Sequence, residues 1–313
     1  MNPLLDRLTK EEIAAARRRI EGTALRTPLV PTEGADLWLK LECLQPFGSY
    51  KIRGATNALT AHMERGEALR GVVSASAGNF GQAIAAAARR IDRPVVIHVP
   101  DNAAAVKVAA LERLGATVRR HSFDDWWRIM ESRATGDDGT FFHPVCEREV
   151  IAGAATIGEE ILEDLPDVAQ VFIPIGGGGL STGIAQSIKR RRPDCRIVAV
   201  EVETAVPLQA AFAAGEPVTV EKQRNFIDGM GSTRVLDEMW PLFQRYIDEV
   251  IVVTIAEIEE AIRHLASRHH VIAEGAGAAA TAAAMRAQAP SSVAIVSGGN
   301  LDPAELSRIL AAD

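Results

Sequence analysis

Cysteine is scarce in this chain. Its three cysteines, Cys43, Cys146 and Cys195, are scattered through 313 residues. An odd number at such spacing builds neither a disulfide framework nor a zinc pattern, so reduced structural thiols are expected. Basic blocks are missing too. A net charge of -7 is spread over 34 Lys and Arg and 41 Asp and Glu, with no stripe that could track a phosphate backbone or an anionic membrane face. Nucleic acid and membrane are therefore not expected as partners.

Long apolar runs are equally lacking. The opening Met1-Asn2-Pro3-Leu4-Leu5-Asp6-Arg7 meets charge before any signal-like or membrane-spanning stretch develops. The alanine-rich runs 83–88 and 276–284 are short and bounded by Arg89, Arg90, Glu274 and Arg286, which suits close helix packing in a soluble core. A cytoplasmic location is the expectation. No linker, low-complexity tail or tandem repeat divides the chain, yet its length favours two lobes over one small domain.

What the sequence does have is alternation. Apolar runs of strand length at 37–41, 71–74, 95–99, 171–175, 196–201, 250–253 and 293–296 are interleaved with helical segments such as 103–114 and 180–190. This is the pattern of βαβ units in parallel sheets buried on both faces. Thr9 with Glu12 predicts a capping box for a helix reaching about Ile20. Crossings between lobes are expected near residues 68 and 145, the second close to Gly136-Asp137-Asp138-Gly139.

Four segments at strand-to-helix junctions are chemically unusual, and that edge is where open parallel sheets bind ligands. In Gln45-Pro46-Phe47-Gly48-Ser49-Tyr50-Lys51 a lysine is delivered to a helix start beside an aromatic ring. It is either an ordinary solvated lysine or an amine that loses its proton and condenses with a carbonyl. Ser74-Ala75-Ser76-Ala77-Gly78-Asn79 opens the next helix, as a plain cap or as a cradle for a carboxylate. Gly176-Gly177-Gly178-Gly179 lets backbone N–H groups wrap a phosphate. A nicotinamide-binding turn is the other reading, with Glu201 at a suitable distance, but Ser181 or Thr182 stands where a third Gly or Ala is wanted. Ser297-Gly298-Gly299-Asn300 offers a hydroxyl to a heterocycle nitrogen or simply caps a turn.

In this order the four segments resemble the fold-type II pyridoxal-phosphate enzymes, and within them the threonine/serine dehydratases and serine racemases. The likeness runs from about Ile20 to Leu310 and includes Ile227-Asp228-Gly229 and Glu274-Gly275-Ala276-Gly277-Ala278. It implies an α/β fold of two open parallel-sheet lobes, like the tryptophan synthase β chain, with pyridoxal 5'-phosphate in the cleft between them. Residues 1–68 and 146–313 would form the larger, cofactor-binding lobe and residues 69–145 the smaller, substrate-clamping one. Lys51 would be the Schiff-base lysine and general base. Gly176, Gly177, Gly178, Gly179 and Leu180 would hold the phosphate, Asn79 the ring hydroxyl and Ser297 the pyridine nitrogen. Ser76, Ala77, Gly78, Asn79 and Asp228 would meet the substrate.

The reaction so implied is that of a pyridoxal-phosphate-dependent ammonia-lyase. A small β-hydroxy amino acid such as threonine, serine or 3-hydroxyaspartate would lose water and then ammonia to give a 2-oxo acid. Racemisation on the same scaffold is the alternative, followed by a nicotinamide-dependent oxidoreductase and by a catalytically silent cofactor-binding protein. Relatives are commonly homodimers or higher homo-oligomers, and with the sequence ending soon after Asn300 the regulatory domain of the biosynthetic threonine dehydratases is not expected.

Three departures from the family pattern matter. Phe80 stands where relatives often have His, Ala77 occupies the place of the racemase's second catalytic serine, and Pro207 replaces an acidic ligand six residues after Glu201. No metal is therefore expected at Glu201. Arg128, Arg224 and Arg234 either meet a distal substrate carboxylate or are surface charges.

Overall fold

In the computed structural model, which describes residues 4 and 6–311, strands and helices alternate almost throughout. Residues 1–3 and 5, part of the N-terminal run read above, lie outside the described residues, as do 312 and 313. The first half of the chain forms α1 (Lys10–Ile20), β1 (Leu29–Pro31), β2 (Leu37–Lys40), α2 (Lys51–Glu64), β3 (Val72–Ala75), α3 (Asn79–Arg90), β4 (Val95–Pro100), α4 (Ala105–Arg113), β5 (Thr117–His121), α5 (Phe123–Ser132) and β6 (Thr140–Phe141). The second half forms α6 (Arg148–Asp164), β7 (Gln170–Pro174), α7 (Gly179–Arg191), β8 (Arg196–Val202), α8 (Pro207–Ala214), α9 (Trp240–Tyr246), β9 (Glu249–Val253), α10 (Ile255–His269), α11 (Gly275–Ala287), β10 (Ser292–Ile295) and α12 (Pro303–Ala311). Among the described residues, no helix is long and apolar enough to cross a membrane.

Helix α1 starts as its sequence predicts. Thr9 and Glu12 exchange side-chain-to-backbone hydrogen bonds in a full capping box. The strands collect into two sheets, one of six strands in the order β1-β2-β10-β7-β8-β9 and one of four in the order β5-β4-β3-β6. Every pairing is parallel except β1 with β2. The central strands β3, β7 and β10 are buried at every position, which is why they read as unbroken apolar runs. Helices α6 and α7 cover one face of the larger sheet, and α10 and α11 cover the other. The smaller sheet has its own core, which includes Ile52, Ala55, Ala58 and Leu59 of α2.

Beneath α2 lies a fully buried network of charges. Arg53 grips Glu42 with two bonds of 2.8 Å and reaches Glu160 at 2.6 and 2.9 Å. Lys40 donates to Glu160 and to the Thr27 carbonyl, both at 2.6 Å. Thr156, Thr27 and the Leu25 carbonyl take up remaining donors and acceptors. Two positive and two negative groups thus cancel in a site that water does not reach. Burial alone would raise the Glu42 pKa, but the charge and hydrogen bonds of Arg53 outweigh it and hold Glu42 below the usual carboxylate range. Its contribution to stability is therefore complete at neutral pH and is lost as acid protonates it.

Such a network stabilises little compared with apolar packing, yet it is costly to break. Arg53→Met leaves Glu42 and Glu160 with Lys40 as their only positive partner. It is expected to lower unfolding stability by about 3–5 kcal/mol, the usual cost of an uncompensated buried charge. Denaturant titration checks this, and a loss below about 1 kcal/mol would mean that the network is not mechanically important.

Candidate active site

The carboxyl ends of β3, β7 and β10 open toward one cleft, as expected for ligand sites on parallel sheets. Lys51, the first residue of α2, enters it over a three-residue helical turn, Pro46–Gly48. The chain there is pinned to the end of β10: the Tyr50 N–H donates to the Ser297 carbonyl at 3.1 Å, and Ser49 bridges Gly298. The Lys51 Nζ lies 3.4 Å from the Pro144 carbonyl. It sits 5.0 Å from the centre of the Tyr50 ring and 5.8 Å from that of Phe80. Phe80 is buried, so one wall beside the amine is apolar.

Sharing the cleft with Lys51 are Gly176, Gly177, Gly178, Leu180 and Ser297. The cleft is a narrow space, part of it open to solvent. A methyl group at Gly177 would stand 2.4 Å from the Val145 side chain, and one at Gly178 would stand 2.2 Å from Phe243. Gly178 also has φ +99°, which L side chains rarely adopt. The loop is therefore packed hard on its rear. Helix α7 begins at Gly179 without a side-chain cap, so its first N–H groups are left for an anion.

The amine, the uncapped glycine loop and the Ser297 hydroxyl, whose contact with the Ala276 carbonyl is a long 3.4 Å, fit a phosphorylated pyridine aldehyde. The loop suits its phosphate and the hydroxyl its ring nitrogen. Among the described residues lining the cleft none is acidic. Helix α3 starts at Asn79 with Gly78 as its uncapped N-cap. The Asn79 amide donates to Glu274 Oε1 at 2.7 Å and accepts from Asn300 at 2.8 Å. The Ser76 hydroxyl accepts from the Gly78 N–H at 3.4 Å, and Ala77 packs against the smaller sheet's core.

Not every candidate residue lines the cleft. Asp228 is exposed and pairs with Lys107 of α4. Arg128 pairs with Asp125 on α5, Arg234 with Asp237, and Arg224 is exposed. Both oxygens of Glu201 accept backbone N–H groups, from Leu208 and Gln209 at 2.8 Å. Burial pushes Glu201 up to about 7, against the pull of those two bonds.

Several contributors carry no assigned site role from sequence, although Tyr50 is the aromatic read beside Lys51 and Gly229 and Ala276 lie in stretches that carry the resemblance. Tyr50, Pro174, Gly229 and Ala276 line the cleft. His143 holds the loop beneath it, its Nδ1 accepting from Val145 and Cys146 at 3.0 and 2.7 Å. Glu274 is buried, and burial raises it to about 7 although the Asn79 bond opposes this. The one signal for it was its place in the Glu274–Ala278 stretch.

Comparison with known proteins agrees with this geometry. The family described as "Pyridoxal-phosphate dependent enzyme" matches residues 20–298. The chain is 36% identical to an L-threonine ammonia-lyase of Thermotoga maritima, covering 97% of this chain and 78% of that protein. It is also 36% identical to a putative threonine dehydratase of Sinorhizobium fredii, over 95% and 94% of the two chains. Among solved structures, maize serine racemase superposes with a TM-score of 0.86 at 31% identity, over 97% of each chain.

The tight rear packing of the loop yields a test. Gly177→Ala forces a methyl into Val145, a strain of about 1–3 kcal/mol, and is expected to weaken pyridoxal phosphate binding by roughly tenfold. Equilibrium binding followed by cofactor absorbance measures this, and unchanged affinity would contradict the loop's role.

Proposed function

The chain belongs to the pyridoxal-phosphate dependent enzymes, and on that premise we propose that it dehydrates and deaminates a small β-hydroxy amino acid to a 2-oxo acid and ammonia. Threonine, serine and 3-hydroxyaspartate are the substrates in view. The observation that carries this reading is the meeting of the Lys51 amine, the glycine loop and Ser297 in one cleft. When bound, pyridoxal phosphate draws electrons from the amino acid and acidifies its Cα proton.

Lys51 then serves as the base that takes this proton. Gly176, Gly177, Gly178, Gly179 and Leu180 hold the phosphate through backbone N–H groups, and Asn79 meets the ring hydroxyl. Ser297, a neutral partner, leaves the ring nitrogen unprotonated where a carboxylate would protonate it. The substrate carboxylate is held at the uncapped start of α3 by Ser76, Ala77, Gly78 and Asn79. Asp228, next in sequence to the cleft-lining Gly229, is assigned to the substrate side, and no metal takes part at Glu201. Residues 69–145 form the lobe that closes on substrate, a division supported by their separate four-stranded sheet. A cytoplasmic location, read from the charged N-terminal run, and a homodimer or higher homo-oligomer, read from the resemblance, complete the proposal.

Elimination rather than racemisation follows from one residue. Inversion needs a proton donor on the face opposite Lys51, and the methyl of Ala77 neither gives nor takes a proton. The similarity to maize serine racemase makes racemisation the second reading. Single enantiomers of β-hydroxy amino acids incubated in deuterated water separate the two. The expected result is 2-oxo acid and ammonia in equal amounts, with the remaining amino acid keeping its configuration. The opposite enantiomer forming faster than ammonia would replace the lyase reading with the racemase one.

A further inference from the structure

The Asn79 amide is polarised by its neighbours. Glu274 is the N-cap of α11 but makes no side-chain bond to its own helix. Its Oε1 instead accepts from Asn79 Nδ2 at 2.7 Å. On the other side, Asn300 Nδ2 donates to Asn79 Oδ1 and to the Phe47 carbonyl, both at 2.8 Å. Both ends of this chain, the Glu274 carboxylate and the Phe47 carbonyl, accept hydrogen bonds. An amide has one donor and one acceptor end, so only one orientation of Asn79 and Asn300 satisfies all three bonds. Both N–H groups of Asn300 are used, whereas one N–H of Asn79 is left over.

Glu274 is held closely in this place. Its backbone N–H donates to the Gly298 carbonyl at 3.0 Å. A methyl at Gly298 would stand 2.3 Å from Oε1 and 3.3 Å from Asn79 Nδ2. A methyl at the cleft-lining Gly229 would come within 3.7 Å of Oε1. The carboxylate thus lies directly behind the cleft wall, between the Ser297-Gly298 turn and the start of α3.

We propose that Glu274 is a positioning residue, which acts through Asn79 by holding its amide with the spare N–H turned toward the cofactor's ring oxygen. This rests on the proposed function, in which Asn79 meets that oxygen. It differs from a structural role in one respect: the bound cofactor's electronic spectrum, and not the fold, depends on the orientation of the Asn79 amide.

The test compares the visible absorption of the holoenzyme with that of Glu274→Gln, Asn79→Ala and the double variant at one pH well above the value of about 7 to which burial raises Glu274, so that its carboxyl is ionised. Melting temperature is recorded for each. Glu274→Gln removes the charge at nearly constant volume. It is expected to change the ratio of the visible bands and lower turnover by about tenfold, as for a lost charge-assisted hydrogen bond. Asn79→Ala is expected to give a similar spectral change, and the double variant nothing further, because both act at one contact. If Glu274→Gln does not fold, Glu274→Asp, which keeps the charge but shortens its reach, must show the shift instead. A wild-type spectrum in the folded variant, or effects that add in the double variant, overturns the role of Glu274 and leaves the proposed function standing. A wild-type protein that acquires no visible band with pyridoxal phosphate overturns both.

Discussion

The bond set around Arg53 is the constraint on which the site depends. Helix α2 has no side-chain cap at its start, so nothing local fixes where its first residue, Lys51, comes to rest. Arg53, two residues further on, is clamped by Glu42 and Glu160, and Glu160 is clamped in turn by Lys40. Those partners come from the segment after β2, from α6 and from β2 itself, so the guanidinium ties α2 to the larger sheet. The bonds from Tyr50 and Ser49 to the Ser297-Gly298 turn fix the other side. A lysine held this way faces the glycine loop without spending a conformational search at each encounter.

Around that fixed amine strand ends supply much of the cleft, with Gly229 and, from α11, Ala276 beside them. The end of β7 supplies the glycine loop, packed from behind by Val145 and Phe243, and the end of β10 supplies Ser297. The end of β3 leads into the turn before Asn79, which Glu274 and Asn300 hold in place. The proposed chemistry needs few charged side chains, because helix ends and backbone N–H groups would do most of the anion binding. Small residues can therefore fill most of the cleft wall.

Much of this was legible in the sequence, and the reasons differ by element. The buried strands declared themselves as apolar runs because both faces are covered, and the starts of α3 and α7 declared themselves by their small residues. The strands that escaped notice are edge or very short ones. Strand β5 reads Thr117-Val118-Arg119-Arg120-His121 and is largely exposed on its sheet's rim, while β6 has two residues. Strand β1 has three, includes Pro31 and runs antiparallel at an edge of the six-stranded sheet. Glu274 and the Arg53 network were not legible because their meaning lies in partners far away in sequence. Asn79 and Glu274 are 195 residues apart, Arg53 and Glu160 107. A lone buried charge looks like any surface charge until its partner is known.

The central claim, that Lys51 is the amine carrying the cofactor, is tested most directly by chemical trapping. The protein is incubated with pyridoxal phosphate, reduced with borohydride, digested and mapped by mass spectrometry. The account predicts a phosphopyridoxyl group on the peptide containing Lys51 and on no other. A reduced adduct on Lys107, Lys40 or another lysine with Lys51 unmodified, or no adduct at all, would contradict it.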